Sequence, residues 1–325
     1  MLRARARLMV RSMTDGNSLR LWALLPLLVI AALTACDDDE RSEPYQVKEL
    51  RVLAIKSEPA EATEETSVVF EALAVKGTGE LTYEWRLCPF AGPAQLGFLC
   101  LSDELPEEEL SQIPDEIKPC IVGETANTES FTATLCSFDT YALILGGAAK
   151  EQGLPIELDP ESGLEMIVNL KVSDETGRQV EAVKSFSVTK SESPNENPSL
   201  TGLVVQEEEE QEPEQGEVWS EDETLQISLE EAPILQVTYD EDTAQSVMDP
   251  KAGDGSEAQT EELLFSWYAT SGVFERGRTA PDLMDNEYRP DGDEASEVDR
   301  VWVVVRDGRG GIGWLERRFT VTGEN

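Results

Sequence analysis

The side chains able to do chemistry are unevenly chosen: 66 Asp and Glu stand against 26 Lys and Arg, with five cysteines and no histidine. Without imidazole there is no Ser-His-Asp or Cys-His relay and no histidine general base, and most catalytic zinc sites are excluded. No glycine-rich loop joins a strand pattern to a helix pattern, which removes the usual phosphate cradle. Carboxylates remain, and an Asp/Glu pair flanking a glycosidic bond can hydrolyse it. With so many acids no single pair stands out, so no catalytic residue is assigned and no enzyme activity is expected. A carboxylate-based enzyme acting on glycans is kept as the alternative function. Two acidic stretches suit a hard cation, Asp240-Glu241-Asp242 and Asp291-Gly292-Asp293-Glu294. They make Asp240, Asp242, Asp291 and Asp293 the candidate calcium ligands. Neither stretch has the spacing of the twelve-residue EF-hand loop, and Asp-Gly is also plain turn chemistry.

The cysteines divide into one and four. Cys88, Cys100, Cys120 and Cys136 fall within a single segment, and Cys36 stands apart. An even number in an exported chain points to two disulfides with three possible pairings. A nested pairing, Cys88–Cys136 with Cys100–Cys120, would close the segment at its base. Zinc held by four thiolates is the sharper alternative, but the spacing contains no C-x-x-C.

Cys36 follows an export pattern. Arg3, Arg5, Arg7, Arg11 and Arg20 precede an apolar run from Leu21 to Ala32, which leads into Leu33-Thr34-Ala35-Cys36. The run is shorter than the ~20 residues a spanning helix needs, so residues 1–35 read as a signal peptide. Leu33-Thr34-Ala35-Cys36 resembles the lipobox of bacterial lipoproteins. The resemblance implies cleavage before Cys36 and lipid on its thiol, and two or three acyl chains anchor stably. Residues 36–47, opening with Asp37, Asp38, Asp39 and Glu40, read as an acidic tether. Acidic residues in this place also resemble an inner-membrane retention signal. Five arginines and Asp15 leave with residues 1–35, taking the formal charge from −40 to −44. Such a surface repels nucleic acid and anionic lipid. The expected partners are therefore a membrane reached through the lipid anchor and a protein or glycan. The expected place is the bacterial cell envelope, periplasmic or on the outer surface.

Short alternating β-branched runs dominate the rest, which argues for antiparallel sheets. Residues 191–199 lack apolar side chains and carry two prolines, a linker composition. They separate a first domain at 48–190 from a second at 200–325, and four blocks recur in parallel order across the two. Leu50 to Ile55 answers Leu200 to Val205; the strand bearing Trp85 answers the one bearing Trp267. Val168 to Asp174 with its turn answers Val301 to Asp307, and the strand bearing Phe186 answers the one bearing Phe319. A large inward tryptophan fills the middle of two packed sheets, and Asp with Gly makes the tight turn. These blocks resemble the immunoglobulin-like superfamily, including its PKD-like bacterial modules. The resemblance implies an all-β chain, two tandem antiparallel sandwiches arranged as a rod. Residues 88–136 then form a disulfide-stapled insertion in the first, because tryptophan and turn aspartate lie much further apart there than in the second. Pro106 to Leu110 suits a loop or short helix, and Glu207 to Glu217 and Asp249 to Glu261 read as loops. Loops on rigid sandwiches commonly carry binding, so the expected role is a lipid-anchored binding or structural module, of adhesion or assembly type, recognising its partner through the insertion.

Overall fold

The computed structural model describes residues 45–63, 66–75, 78–92, 97–151, 160, 163–206, 216–247, 258–293 and 295–323. The first sandwich contains β1 (Arg51–Glu58), β2 (Ser67–Val75), β3 (Thr82–Cys88), β4 (Thr125–Ala126), β5 (Ser130–Thr134), β6 (Leu164–Ser173) and β7 (Gln179–Val188). Helices α1 (Glu107–Leu110), α2 (Lys118–Val122) and α3 (Phe138–Glu151) occupy its long excursions. One sheet runs β1-β2-β5 and the other β4-β3-β6-β7, every named pair antiparallel. This order, first, second and fifth strands against third, sixth and seventh, is that of an immunoglobulin-like sandwich.

The second sandwich contains β8 (Leu200–Gln206), β9 (Glu217–Trp219), β10 (Thr224–Ser228), β11 (Ile234–Tyr239), β12 (Ser246–Val247) and β13 (Gln259–Thr260). It continues through β14 (Leu264–Ala269), β15 (Val273–Phe274), β16 (Arg278–Thr279), β17 (Asn286–Arg289), β18 (Asp299–Arg306) and β19 (Ile312–Thr322). Its sheets run β15-β17-β11-β8-β9 and β10-β19-β18-β14-β16, with β10 parallel to β19. Part of the stretch expected as loop before Glu261 is the short strand β13, paired with β12. Residues 207–215 and 249–257 lie outside the described residues.

The repeated blocks occupy equivalent places. Trp85 pairs with Leu170 across β3 and β6, and Trp267 with Val303 across β14 and β18. Both indoles are buried, and each donates its N–H to the neighbouring edge, to Thr128 O and Thr279 Oγ1, at 2.8 Å. Phe186 and Phe319 close each core from the last strand, against Phe70 and Tyr288 respectively. The turn after β6 is capped by Asp174, which accepts from the backbone N–H of Thr176 and Arg178. The turn after β18 is capped by Asp307, which accepts from Arg309, Gly310 and Gly311.

The two sandwiches do not stand end to end as a rod. Alternation sends Val301, Val303 and Val305 of β18 into the second core, and Trp302 and Val304 to the opposite face. There they join Ile312, Trp314 and Tyr268 in packing against Leu53, Ala54, Leu73 and Val75 of β1 and β2. Sheet therefore lies on sheet, and β18 is apolar on both faces because both are covered. Lys56 sits 5.3 Å from the Trp314 ring centre, and Arg306 donates to Leu53 O at 3.0 Å. The connecting residues are part of this contact. Asn195 donates to Asp307 Oδ2 and Asn197 to Ser57 O, while Ile312 N donates to Asn197 Oδ1. A side chain at Gly313 would meet Pro198 O at 2.2 Å, so the connection lies directly on β19. Three residues assigned to the tether by composition, Tyr45, Gln46 and Val47, also belong to the packed body: Val47 N donates to Ala269 O, Ala269 N to Tyr45 O, and the Gln46 side-chain amide to Gly272 O.

Candidate interaction site

The segment between Cys88 and Cys136 folds down onto its own sandwich. Cys88 is bonded to Cys100 and Cys120 to Cys136, with Cα separations of 5.3 and 5.8 Å. The pairing is sequential rather than nested, because the segment is not one loop. It contains β4 and β5, which pair with β3 and β2 and are structural strands of the sandwich. Each disulfide closes one excursion beside these strands, and a bond across the base would span strands already held by ladders.

The first excursion leaves β3 at Cys88 and returns antiparallel to itself: Gly92 N donates to Leu99 O and Leu101 N to Phe90 O. The Cys88–Cys100 bridge packs with Ile167, Ala91 and Phe98 on the outer face of the β3-β6 pair. Phe98 holds φ at 54°, a left-handed conformation uncommon outside glycine. Arg86, also on that face, pairs with Asp103. The second bridge ties α2 to the residues after β5, and Cys136 N donates to the buried Tyr141 hydroxyl of α3 at 3.2 Å. Burial raises the Tyr141 pKa, so the phenol stays neutral. Phe90 meets Tyr141 edge to face at 6.0 Å, joining the first excursion to α3. From this anchored base Leu99 and Leu101 emerge 50% and 47% exposed, and Leu143 of α3 emerges 77% exposed. Helix α1 adds Glu107, Glu108 and Glu109 at the surface. The result is a braced loop cluster with apolar tips and an acidic border.

The acidic calcium candidates are not brought together. Asp240 precedes a 3-10 turn at Glu241–Thr243, which includes Asp242, and Asp291 Oδ1 accepts the N–H of Asp293 in a local turn. Among the described residues no group of three or more acidic or cysteine side chains converges as a metal site would require. Cys36 lies outside the described residues. A concavity of about 390 Å3 at the contact between the sandwiches is lined by Glu165, Ser185, Arg306, Arg309 and Gly310. Beside it Lys184 reaches from β7 to Gly310 O. Burial lowers the Lys184 pKa to about 8, opposed by the Asp307 carboxylate and reinforced by Arg306. Nothing in the sequence separates Lys184 from the other polar positions of an alternating strand.

The chain matches no protein-family model and no curated protein. Among solved structures it is similar to murine CEACAM1b, at 9% identity over 84% of this chain and 100% of that one, with a TM-score of 0.21. It is likewise similar to the D0-D1 domain of intimin, at 10% identity over 83% of this chain and 98% of that one, with a TM-score of 0.20. At such scores the likeness carries no argument, and the sandwich assignment rests on strand order and register.

Proposed function

We propose that this chain is a lipid-anchored module of the bacterial cell envelope that binds a protein or glycan partner through the braced loop cluster of its first sandwich. The observation that carries the reading is the cluster itself. Two disulfides, a left-handed phenylalanine and a buried tyrosine fix a loop whose leucine tips stay in water. Ordering a loop before it binds lowers the entropy lost on binding, and apolar side chains held at a loop tip serve contact better than stability. The residues from Arg3 to Cys36 support anchoring, and the charge of −40 favours partners that are not polyanions.

Two experiments test the parts separately. Metabolic labelling with an alkyne fatty acid should mark the wild-type chain and leave Cys36→Ala unmarked; equal labelling of both rejects the anchor. Cross-linking on intact cells, with Leu99→Asp and Leu101→Asp as the comparison, should lose a specific adduct in the variants. An adduct unchanged by both substitutions rejects the cluster as the contact surface.

A further inference from the structure

A second concave site lies away from the braced cluster, at the end of the first sandwich where β3 begins. Strand β4 pairs only with Trp85 and Arg86. The edge of β3 from Thr82 to Glu84 is therefore left without a partner strand among the described residues. The opening is a cleft of about 850 Å3 lined by Ala74, Leu81, Tyr83, Glu80, Asn127 and Glu129, among others. Its size falls in the range of ligand sites.

Both walls are fixed from outside the cleft. On one side the core indole of Trp85 holds Thr128 O at 2.8 Å, and the Thr128 hydroxyl donates to Ser130 O. On the other, Glu175 N donates to Thr78 O, and Glu80 N donates back to Glu175 Oε1 at 3.2 Å. Gly79, at φ 71°, lets Glu175 lie against the backbone; a side chain there would meet its carboxyl at 2.1 Å. The polar groups between the walls are unspent. The Asn127 amide, the Tyr83 hydroxyl and the carboxylates of Glu80 and Glu129 make no hydrogen bond to another described residue. Glu84 is already paired with Lys171 at 3.0 Å. The Tyr83 pKa is raised by burial and then by Glu129, which keeps its phenol a neutral donor.

We propose that this cleft is a binding site for a neutral, hydroxyl-rich oligosaccharide. Ala74, Leu81 and the Tyr83 ring offer apolar surface to the C–H face of a sugar. Asn127, Glu80, Glu129 and the Tyr83 hydroxyl offer the mixed donors and acceptors that vicinal hydroxyls satisfy. The carboxylates turn away acidic sugars, and an uncharged amide among them serves hydroxyls better than a cation. The site is separate from the braced cluster, so each can fail while the other stands.

The test is calorimetric titration of the folded chain with cellotetraose, maltotetraose and chitotetraose, with tetragalacturonate and hexalysine as charged comparisons. At least one neutral tetrasaccharide should bind with a Kd of about 1 mM or tighter, and tetragalacturonate should not bind. Tyr83→Ala and Asn127→Ala should each weaken binding about tenfold or more, while Tyr83→Phe, which keeps the ring, should retain most of it. Asn127 is exposed, so its variant reports on the site even if Tyr83→Ala unfolds. Silence across the neutral panel, binding of hexalysine alone, or affinity untouched by Asn127→Ala and Tyr83→Ala would each overturn the proposal.

Discussion

The same sheet meets two fates in this molecule. In the first sandwich the outer face of β3 and β6 is covered by the chain's own loop, pinned through Cys88 and Cys100 onto Ile167. In the second, the corresponding face of β14, β18 and β19 is covered by the other sandwich, through Trp302, Val304 and Trp314. An apolar sheet face left open invites association, and the two repeats meet that demand by different means. One uses a short covalent closure, the other a contact between residues some 250 positions apart, such as Arg306 with Leu53. The local solution leaves loop tips free to contact something else. The distant one makes each sandwich depend on its partner.

The largest expected effect comes from breaking the distant covering. Trp302→Ala should cost about 3–5 kcal/mol. In calorimetry it should split a single unfolding transition into two, and one unsplit transition would mean the sandwiches are coupled by something else. The local covering comes next. Replacing Cys88 and Cys100, which are 12 positions apart, by Ser opens the loop that covers this face and should cost about 3 kcal/mol. Non-reducing peptide mapping should recover Cys88 with Cys100, and any Cys88–Cys136 peptide would contradict the sequential pairing.

A smaller effect follows from Lys184, which belongs to the first sandwich but is buried by the second. Its folded pKa is about 8 against an ordinary 10.5, so the unfolded chain binds more protons between those values. Stability should therefore rise with pH through that window. Measured by denaturant unfolding, the gap between wild type and Lys184→Met should shift by about 2–3 kcal/mol from pH 7 to pH 10.5 in favour of wild type. A constant gap would place the ammonium in water. The smallest effects should separate the two turns. Asp307→Ala strands three N–H groups at the contact and should cost about 1–3 kcal/mol. The exposed Asp174 is held below the usual carboxylate range, chiefly by the Thr176 hydroxyl, and Asp174→Ala should lower the melting temperature less.

Within each repeat, much could be read from the sequence. Inward aromatics at Trp85 and Trp267, a closing phenylalanine and an aspartate turn are local signals, and each has one physical solution. The segment 88–136 was harder, because its disulfides mask the alternation of Ser130 to Thr134, whose inward Phe131 and Ala133 mark a sandwich strand. The contact between repeats was harder still. Val301 to Val305 carries no polar alternation, the mark of a strand covered on both faces, but no spacing says what covers the second face. Composition also misled at 191–199, where Asn195 and Asn197 are polar because they bond across the contact, not because they are solvated. The cleft beside Tyr83 gave no signal, since its walls meet only when the turn after β6 closes on residues almost a hundred positions earlier.

The parallel bridge between Gln46 and Ala269 has a mechanical consequence. The chain is stitched to the second sandwich before it enters the first, with Val47 and Tyr45 bonded to Ala269 and the Gln46 amide donating to Gly272 O. A pull from the amino-terminal side therefore loads β14 in the middle of the body, not the first strand of the first sandwich. Tension would be shared across parallel hydrogen bonds in shear, and the strands of the first sandwich would be shielded until that stitch gives way.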